Sequence, residues 1–511
     1  MKRLVFLTAL LILWTPALSA QDLGTDAQRE AGKQVYDAKC AHCHGENGDA
    51  NSVATAYLRP APRDFTTGIY KFRSTSSVDL PTTDDIKRSI RDGMPYTSMP
   101  AWDGMISETD ITNLAYYIKT FNADFASSDF GNPTPVDIPR APGYNEANLE
   151  RGRQVYEENQ CLDCHGDQGR GNGKSAPTLN DDWGYPIRAA DMTKRWTFRA
   201  SPTREDVYRT FITGLTGSPM PSYEDMPEED RWALVDYIWS LSEDEPNYGT
   251  VVTAHRADGA IDLNQPAVFD DAPMAYFAVV GQIIEPGREF YPGVNGVEVK
   301  AVYNQDEVAL QLAWHDMTAE TTGSNSPTMT VPMFGAAPDS AATDSAATYS
   351  DAVAVMVPSQ MPVGVERPYF MFGDSDNSMD IWFADLAQSA AEVLVGKGTA
   401  DITTSDQSLE MTSTYDDGRW TVAFKRARLM EGGLSFEEDS FVPITFSVWD
   451  GFNEERGNKR GLTSWYHVYV PPLETQSAAL PMLQWGFITL LLELGLIFIV
   501  RRGKKKAAVT A

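Results

Sequence analysis

Cys40-Ala41-His42-Cys43-His44 and Cys161-Leu162-Asp163-Cys164-His165 both read C-x-x-C-H, and together they use all four cysteines of the chain. A pair of thiols at this spacing, closed by an imidazole, is the attachment signature of c-type haem. Each thiol adds across a vinyl group of the porphyrin, and the histidine takes an axial position on iron. Cys40, Cys43, Cys161 and Cys164 are therefore the expected covalent anchors of two haem c groups, with His44 and His165 as iron ligands. A redox C-x-x-C or half of a zinc site would use the same cysteine spacing. The second copy, again followed by histidine, disfavours both. No cysteine remains for a disulfide or a nucleophile.

The sixth ligand is expected in a loop further along. Gly93-Met94-Pro95-Tyr96-Thr97-Ser98-Met99-Pro100 and Gly217-Ser218-Pro219-Met220-Pro221 each carry a methionine followed by proline, which stiffens the loop. Met99 and Met220 follow the first cysteine of their own motif at equal intervals. A thioether is a soft ligand that favours ferrous iron, so His/Met ligation raises the reduction potential. Met94 is the rival in the first copy but has no methionine counterpart in the second. Methionine is also ordinary core filler, so the repetition is what singles out Met99 and Met220.

The elements that must position these residues repeat at an offset of about 120 residues. Gly32-Lys33-Gln34-Val35-Tyr36 matches Gly152-Arg153-Gln154-Val155-Tyr156 ahead of each motif. Leu114-Ala115-Tyr116-Tyr117-Ile118 matches Leu234-Val235-Asp236-Tyr237-Ile238 at the end of each copy. Each copy thus opens and closes with a helix. Glu108 and Asp110, then Glu228, Glu229 and Asp230, suit the N-termini of the closing helices. Both copies resemble class I cytochrome c domains, small all-α folds wrapped round one haem, over residues 26–122 and 147–243. The domains are placed at 21–122 and 147–243, with a Pro-, Ser-, Asp- and Asn-rich linker at 123–146. Phe72-Arg73 and Phe198-Arg199 recur as well; an arginine there could meet a haem propionate or simply face solvent.

From 248 to 472 the texture changes to short β-branched and aromatic runs. Val297–Tyr303, a turn at Asn304–Glu307 and Val308–Trp314 form a hairpin pattern. Further strands are expected at 352–357, 420–424, 444–449 and 465–470, which points to a β-sandwich. Residues 336–350 repeat Asp-Ser-Ala-Ala-Thr and read as a low-complexity loop. The pieces Asp351–Val355, Phe370–Gly373, Asp380–Phe383, Gly418–Arg426, Val448–Gly451 and Ser464-Trp465 resemble the γ subunit of ethylbenzene dehydrogenase and dimethyl sulfide dehydrogenase. That resemblance implies one non-covalent haem b held between a methionine and a lysine, here Met371 and Lys425. Phe372 separates Met371 from Gly373, a departure from the family pattern. Met317, Met333, His315 and His467 are further available ligands.

Both ends read as membrane-directed. Residues 1–20 have the basic, apolar and small-residue segments of a secretory signal peptide. Residues 480–500 form an apolar run that suffices for one transmembrane helix, and the basic tail 501–511 places the C-terminus in the cytoplasm and the rest in the periplasm. Glu493 inside the span is either tolerated in lipid or meets another membrane subunit. The formal net charge of −29 excludes nucleic acid as a partner.

The sequence therefore predicts a multidomain chain: two all-α cytochrome c domains, a β-sandwich and one C-terminal transmembrane helix. The γ-subunit resemblance implies electron transfer, with no catalytic residues of its own. Iron–sulfur and molybdenum subunits of the dimethyl sulfoxide reductase family, nitrite or nitrate type favoured, would lie on other chains. A soluble cytochrome or a membrane respiratory complex would take the other end of the path. The alternatives are a dihaem cytochrome feeding a terminal oxidase or quinol-oxidising complex through a non-haem docking sandwich, and a dihaem peroxidase.

Overall fold

The computed structural model describes residues 20–55, 58, 60–242, 244–285, 292–331, 348–364, 366–388, 390–472 and 479–509. The expected signal peptide, apart from Ala20, lies outside the described residues, as do Met333 and most of the 336–350 loop.

Two helical units come first. The first contains α1 (Asp26–Lys39), the single turn α2 (Ala41–His44), α3 (Thr83–Asp92) and α4 (Glu108–Lys119). The second repeats the plan with α5 (Glu146–Glu158), α6 (Leu162–His165), α7 (Arg204–Thr213) and α8 (Glu228–Leu241). Side-chain caps start the helices: Thr25 and Thr82 form capping boxes, and Ser107, Asn145 and Thr203 accept from the first-turn backbone. Opening and closing helices cross at glycine. A Cβ on Gly32 would lie 2.1 Å from the Asn113 carbonyl oxygen, and one on Gly152 would lie 2.0 Å from that of Ala233. One turn on, Tyr36 and Tyr156 are buried in the cores beneath, with Ile111 and Leu114 in one unit and Trp232 and Val235 in the other.

The segment between the units is more than a spacer. The Val136 amide donates to the Ser74 carbonyl at 2.7 Å, and Val136, Ile138 and Ala141 pack on the second core. Arg73 ties the units together. It is 3 % exposed, and its guanidinium donates to the carbonyls of Tyr70 (2.7 Å), Ser76 (3.1 Å) and Thr213 of the other unit (3.1 Å). A solvated surface position does not describe it; the three carbonyls use its planar fork.

The β-rich region opens with β1 (Val251–Thr253), β2 (His255–Arg256), β3 (Ala275–Ala278) and β4 (Val280–Gly281). The expected hairpin is β5 (Gly296–Tyr303) and β6 (Glu307–His315), followed by β7 (Ala352–Pro358), β8 (Met379–Asp385), β9 (Ala390–Gly396) and β10 (Ile402–Thr404). Then come β11 (Glu410–Asp416), β12 (Arg419–Ala427), β13 (Ser440–Trp449), β14 (Gly461–Leu462) and β15 (Tyr466–Val470). One sheet has nine strands, ordered β1-β15-β13-β7-β8-β9-β10 with β14 and β4 beside this path. The other has six, ordered β11-β12-β6-β5-β2 with β3 beside β5. Alternation along β6 and β12 sends Leu310, Leu312, Trp314, Trp420, Val422 and Phe424 into a core shared with Val353, Val355 and Trp382 of the other sheet. The opposite parity, including His315, Arg419 and Lys425, lies on the outer face of the six-stranded sheet.

The last helix, α9 (Ala479–Val509), contains 24 residues, Ala479–Arg502, long and apolar enough to cross a membrane.

The glycine crossings make a direct prediction. Gly152→Ala is expected to destabilise the second helical unit, and Gly32→Ala the first, by about 1–3 kcal/mol each through forced helix separation. The measurement is a lowered urea midpoint at unchanged slope.

Candidate haem centres

In each unit the C-x-x-C-H motif forms a single helical turn just after the opening helix; in the second unit Gln160 (φ +56°) separates the two. The Cys40 amide donates to Tyr36 at 2.8 Å and the His44 amide to Cys40 at 2.9 Å; in the second unit Cys161 donates to Tyr156 at 3.0 Å and His165 to Cys161 at 2.9 Å. Cysteines three apart on such a turn share one side. The turn stops at Gly45 (φ +78°) and Gly166 (φ +79°). The buried tyrosine hydroxyls fix this stop, Tyr36 donating to the Gly45 carbonyl at 2.7 Å and Tyr156 to that of Gly166 at 2.6 Å.

The imidazoles are held alike. His44 Nδ1 lies 2.9 Å from the Arg63 carbonyl oxygen, and His165 Nδ1 lies 3.0 Å from that of Ala190. A carbonyl can only accept, so Nδ1 must carry the hydrogen and Nε2 the lone pair. This is the tautomer an iron ligand needs. Burial lowers both pKa values, opposed by the carbonyl bond, and keeps the rings neutral. His44 also stacks on Phe65 with centroids 4.6 Å apart. Without haem attached, burial raises all four thiols, Cys40 to about 12 and Cys161 to about 11.

The methionine loops match in their backbone bonds. The Met94 amide donates to the Met99 carbonyl at 3.0 Å, and that of Leu215 to Met220 at 3.1 Å. Thr97 and Ser218 hydroxyls donate back to Met94 (2.8 Å) and Leu215 (2.6 Å). Met99 thus corresponds to Met220, and Met94 to Leu215. Met220 packs beside the second core, as do Cys161, Phe198 and Tyr223. Paired thiols, an imidazole with a free Nε2 and a half-buried methionine in equivalent loops form a donor set that fits haem c in both units.

The pair implied for haem b does not converge, and that expectation is corrected. Met371 is fully buried, its sulfur 3.7 Å from Arg460 Nη2. Its neighbour Phe372 belongs to the apolar cluster on the outer face of the nine-stranded sheet, with Met356, Ile381 and Trp449. Lys425 lies on the outer face of the other sheet. Its Nζ donates to the Ile261 carbonyl at 3.0 Å and pairs with Glu307 (3.1 Å) and Glu410 (3.0 Å). Both sheets and their shared core lie between the two residues, so one iron cannot take both. Burial by itself would lower the Lys425 pKa, but its bonds to Glu410 and Glu307 raise it. His315, another available ligand, has Nδ1 2.8 Å from Asp191 Oδ2. Strand parity carried the warning: Trp420, Val422 and Phe424 point inward, so Lys425 points out.

Residues 27–118 match the family described as cytochrome c oxidase, cbb3-type, subunit III, and residues 149–242 match the cytochrome c family. A Haloferax mediterranei protein described as a respiratory nitrate reductase haem subunit is 27% identical over 177 residues, covering 34% of this chain and 55% of its own length. The cbb3-type cytochrome c oxidase subunit FixP of Bradyrhizobium diazoefficiens is 29% identical over 211 residues, covering 37% and 61%. The chain therefore spans less than two thirds of the length of either relative. A chain of the Kuenenia stuttgartiensis reducing HAO-like protein complex is 39% identical, covering 42% of this chain and 96% of its own, with a TM-score of 0.40. Through residues 27–118 and 149–242, the helical part of this chain consists of two cytochrome c domains.

Proposed function

We propose that this chain is a membrane-anchored, periplasmic electron-transfer subunit with two covalent haem c groups. It would link a molybdenum and iron–sulfur oxidoreductase of nitrite or nitrate type to a soluble cytochrome or a respiratory complex. The observation that carries this reading is the duplicated site, in which each C-x-x-C-H imidazole is fixed as the Nδ1–H tautomer. The Haloferax relative's description supports the type of partner. Cys40, Cys43, Cys161 and Cys164 hold the porphyrins; His44 with Met99, and His165 with Met220, take the axial positions. Bound haem supplies one-electron exchange at iron.

The residues around it do the rest. The Arg63 and Ala190 carbonyls orient the imidazoles and increase their basicity. Met99 and Met220 close the sixth positions, which sets this reading apart from a dihaem peroxidase. The two-sheet region, read as a sandwich of the γ-subunit kind, serves as the docking module for the iron–sulfur partner. Haem b stays outside the route, because Met371 and Lys425 face opposite sides. Helix α9 anchors the chain, with Arg501 and Arg502 at the cytoplasmic end.

One observation favours a second reading. The first unit matches a cbb3-type oxidase subunit family, and FixP is among the relatives. In that case the same two haems would feed a terminal oxidase.

Purified from a host that matures c-type cytochromes, the chain should give a pyridine haemochrome of c-type haem alone, two per chain. A b-to-c ratio near one to two would put a third haem in the two-sheet region and overturn the route drawn here. Met99→Ala and Met220→Ala should each lower one midpoint potential by on the order of 0.1 V, within the ~0.8 V range that axial ligands command. Met94→Ala, the counterpart of Leu215, should leave both potentials unchanged. Affinity purification of the tagged chain from its own membranes should bring down molybdenum and iron–sulfur subunits; recovery of a haem–copper oxidase instead would select the second reading.

A further inference from the structure

The end of the two-sheet region that faces the second cytochrome c domain gathers four carboxylates. Asp316 follows β6, Glu320 lies in the same loop, Asp351 precedes β7 and Asp450 follows β13. One carboxylate oxygen from each lies within 4.8 Å of the others. Asp316, Asp351 and Asp450 are buried and Glu320 is half-buried. Arg188, from the cytochrome domain, brings positive charge to the edge of the group, its Nη2 2.6 Å from Asp450 Oδ2.

Protein donors satisfy part of this cluster. Asp351 Oδ1 accepts from the Gly451 amide at 2.8 Å, and Oδ2 from the Glu320 amide (2.8 Å) and Trp420 Nε1 (3.0 Å). Asp316 is different. It is 6 % exposed, its Oδ2 accepts a long 3.4 Å bond from Trp314 Nε1, and its Oδ1 has no protein hydrogen-bond partner. Glu320 Oε2 has none either. Unpaired carboxylate oxygens inside a cluster of like charge are what a buried anion site looks like when its counter-charge is not protein. The four groups as they stand are short of positive charge.

We propose that Asp316, Glu320, Asp351 and Asp450 form a divalent-cation site whose occupant is Ca²⁺. All four donors are hard oxygens, which suit Ca²⁺ or Mg²⁺ rather than zinc or copper. Oxygens on opposite sides of Ca²⁺ stand ~4.6–5.2 Å apart, against ~4.0–4.2 Å for Mg²⁺. The four oxygens, all within 4.8 Å of one another, are close enough to share one such ion. Donors from separate chain segments also give the irregular coordination that Ca²⁺ tolerates and Mg²⁺ resists. The ion would satisfy the orphan oxygens and pin the loop after β6 to the ends of β7 and β13. Through Asp450 it would hold Arg188, and so the second cytochrome domain, against the sheets.

The test uses the full haem-loaded chain in detergent. Elemental analysis should find one calcium per chain. EGTA should remove it and lower the apparent Tm, and Ca²⁺ should restore the Tm where equal Mg²⁺ does not. Mass action puts the recovery at roughly 5–10 °C when free Ca²⁺ is ~100 times Kd. Glu320→Gln, at the half-buried member, should abolish both the bound calcium and the EGTA-sensitive part of the Tm while leaving the haem spectrum unchanged. Asp316→Asn provides a second variant with the same expectation, and the wild-type chelation result decides the matter should neither fold. Wild-type calcium content and Tm indifferent to EGTA would overturn the proposal, since the carboxylates would then share protons. Recovery with Mg²⁺ equal to that with Ca²⁺ would overturn the choice of ion.

Discussion

The bond from a histidine Nδ1–H to a backbone carbonyl is the interaction on which both candidate haem centres depend. His44 makes it to Arg63 and His165 to Ala190, at 2.9 and 3.0 Å. The C-x-x-C-H turn alone leaves the imidazole free to rotate and to choose its tautomer. The carbonyl removes both freedoms. For that to work, the segment supplying the carbonyl must be fixed relative to the turn. The glycine crossing and the tyrosine bond to Gly45 or Gly166 fix the turn. The carbonyl segment is tied to its own unit by the Phe65 amide on the Gly48 carbonyl (2.7 Å) and the Met192 amide on the Gly169 carbonyl (2.6 Å), and contacts with the next domain add to this.

Polar contacts dominate the seam between the second cytochrome domain and the sheets. Arg188 meets Asp450, Arg170 meets Asp417 at 2.6 Å, and His315 meets Asp191. Burying charge carries a desolvation cost that the pairing only partly returns, so such contacts add little net stability. Their directionality does more: a displaced Arg188 would leave Asp450, which is almost fully buried, without its cation. The seam therefore fixes orientation. The core shared by the two sheets, built from Trp314, Trp382 and Val353 among others, supplies the stability of that region.

The sequence carried the centres and the repeat because both depend on local spacing. C-x-x-C-H, the glycine and tyrosine ahead of it and the methionine before proline all act within a turn or a loop. The β5–β6 hairpin was equally legible from alternation. What escaped was set by contacts between distant segments. Arg73 gave no sign that it would bridge to Thr213, and the proline-rich linker gave none that Val136 would bond Ser74. Met371 and Lys425 failed for another reason. Local likeness to a γ subunit located both residues but said nothing of their faces. Inward Trp420, Val422 and Phe424 turn Lys425 outward on one sheet, while Phe372 places Met371 against the back of the other.

Beside each orienting carbonyl, a side chain also reaches the next domain along the chain. Arg63, whose carbonyl receives His44, stacks its guanidinium 4.6 Å from the ring of Trp183 in the second cytochrome domain. Ala190, whose carbonyl receives His165, lies between Arg188 and Asp191, and these two bind Asp450 and His315 of the sheets. Each imidazole's carbonyl partner thus lies within two residues of a contact to the next domain. A ligand's orientation and basicity tune the iron it binds. In such an arrangement the docking of one domain on another is also an electrostatic setting for the site behind it. A partner that shifts the sheets would act on His165 through two residues of backbone, and on His44 only through a further domain contact.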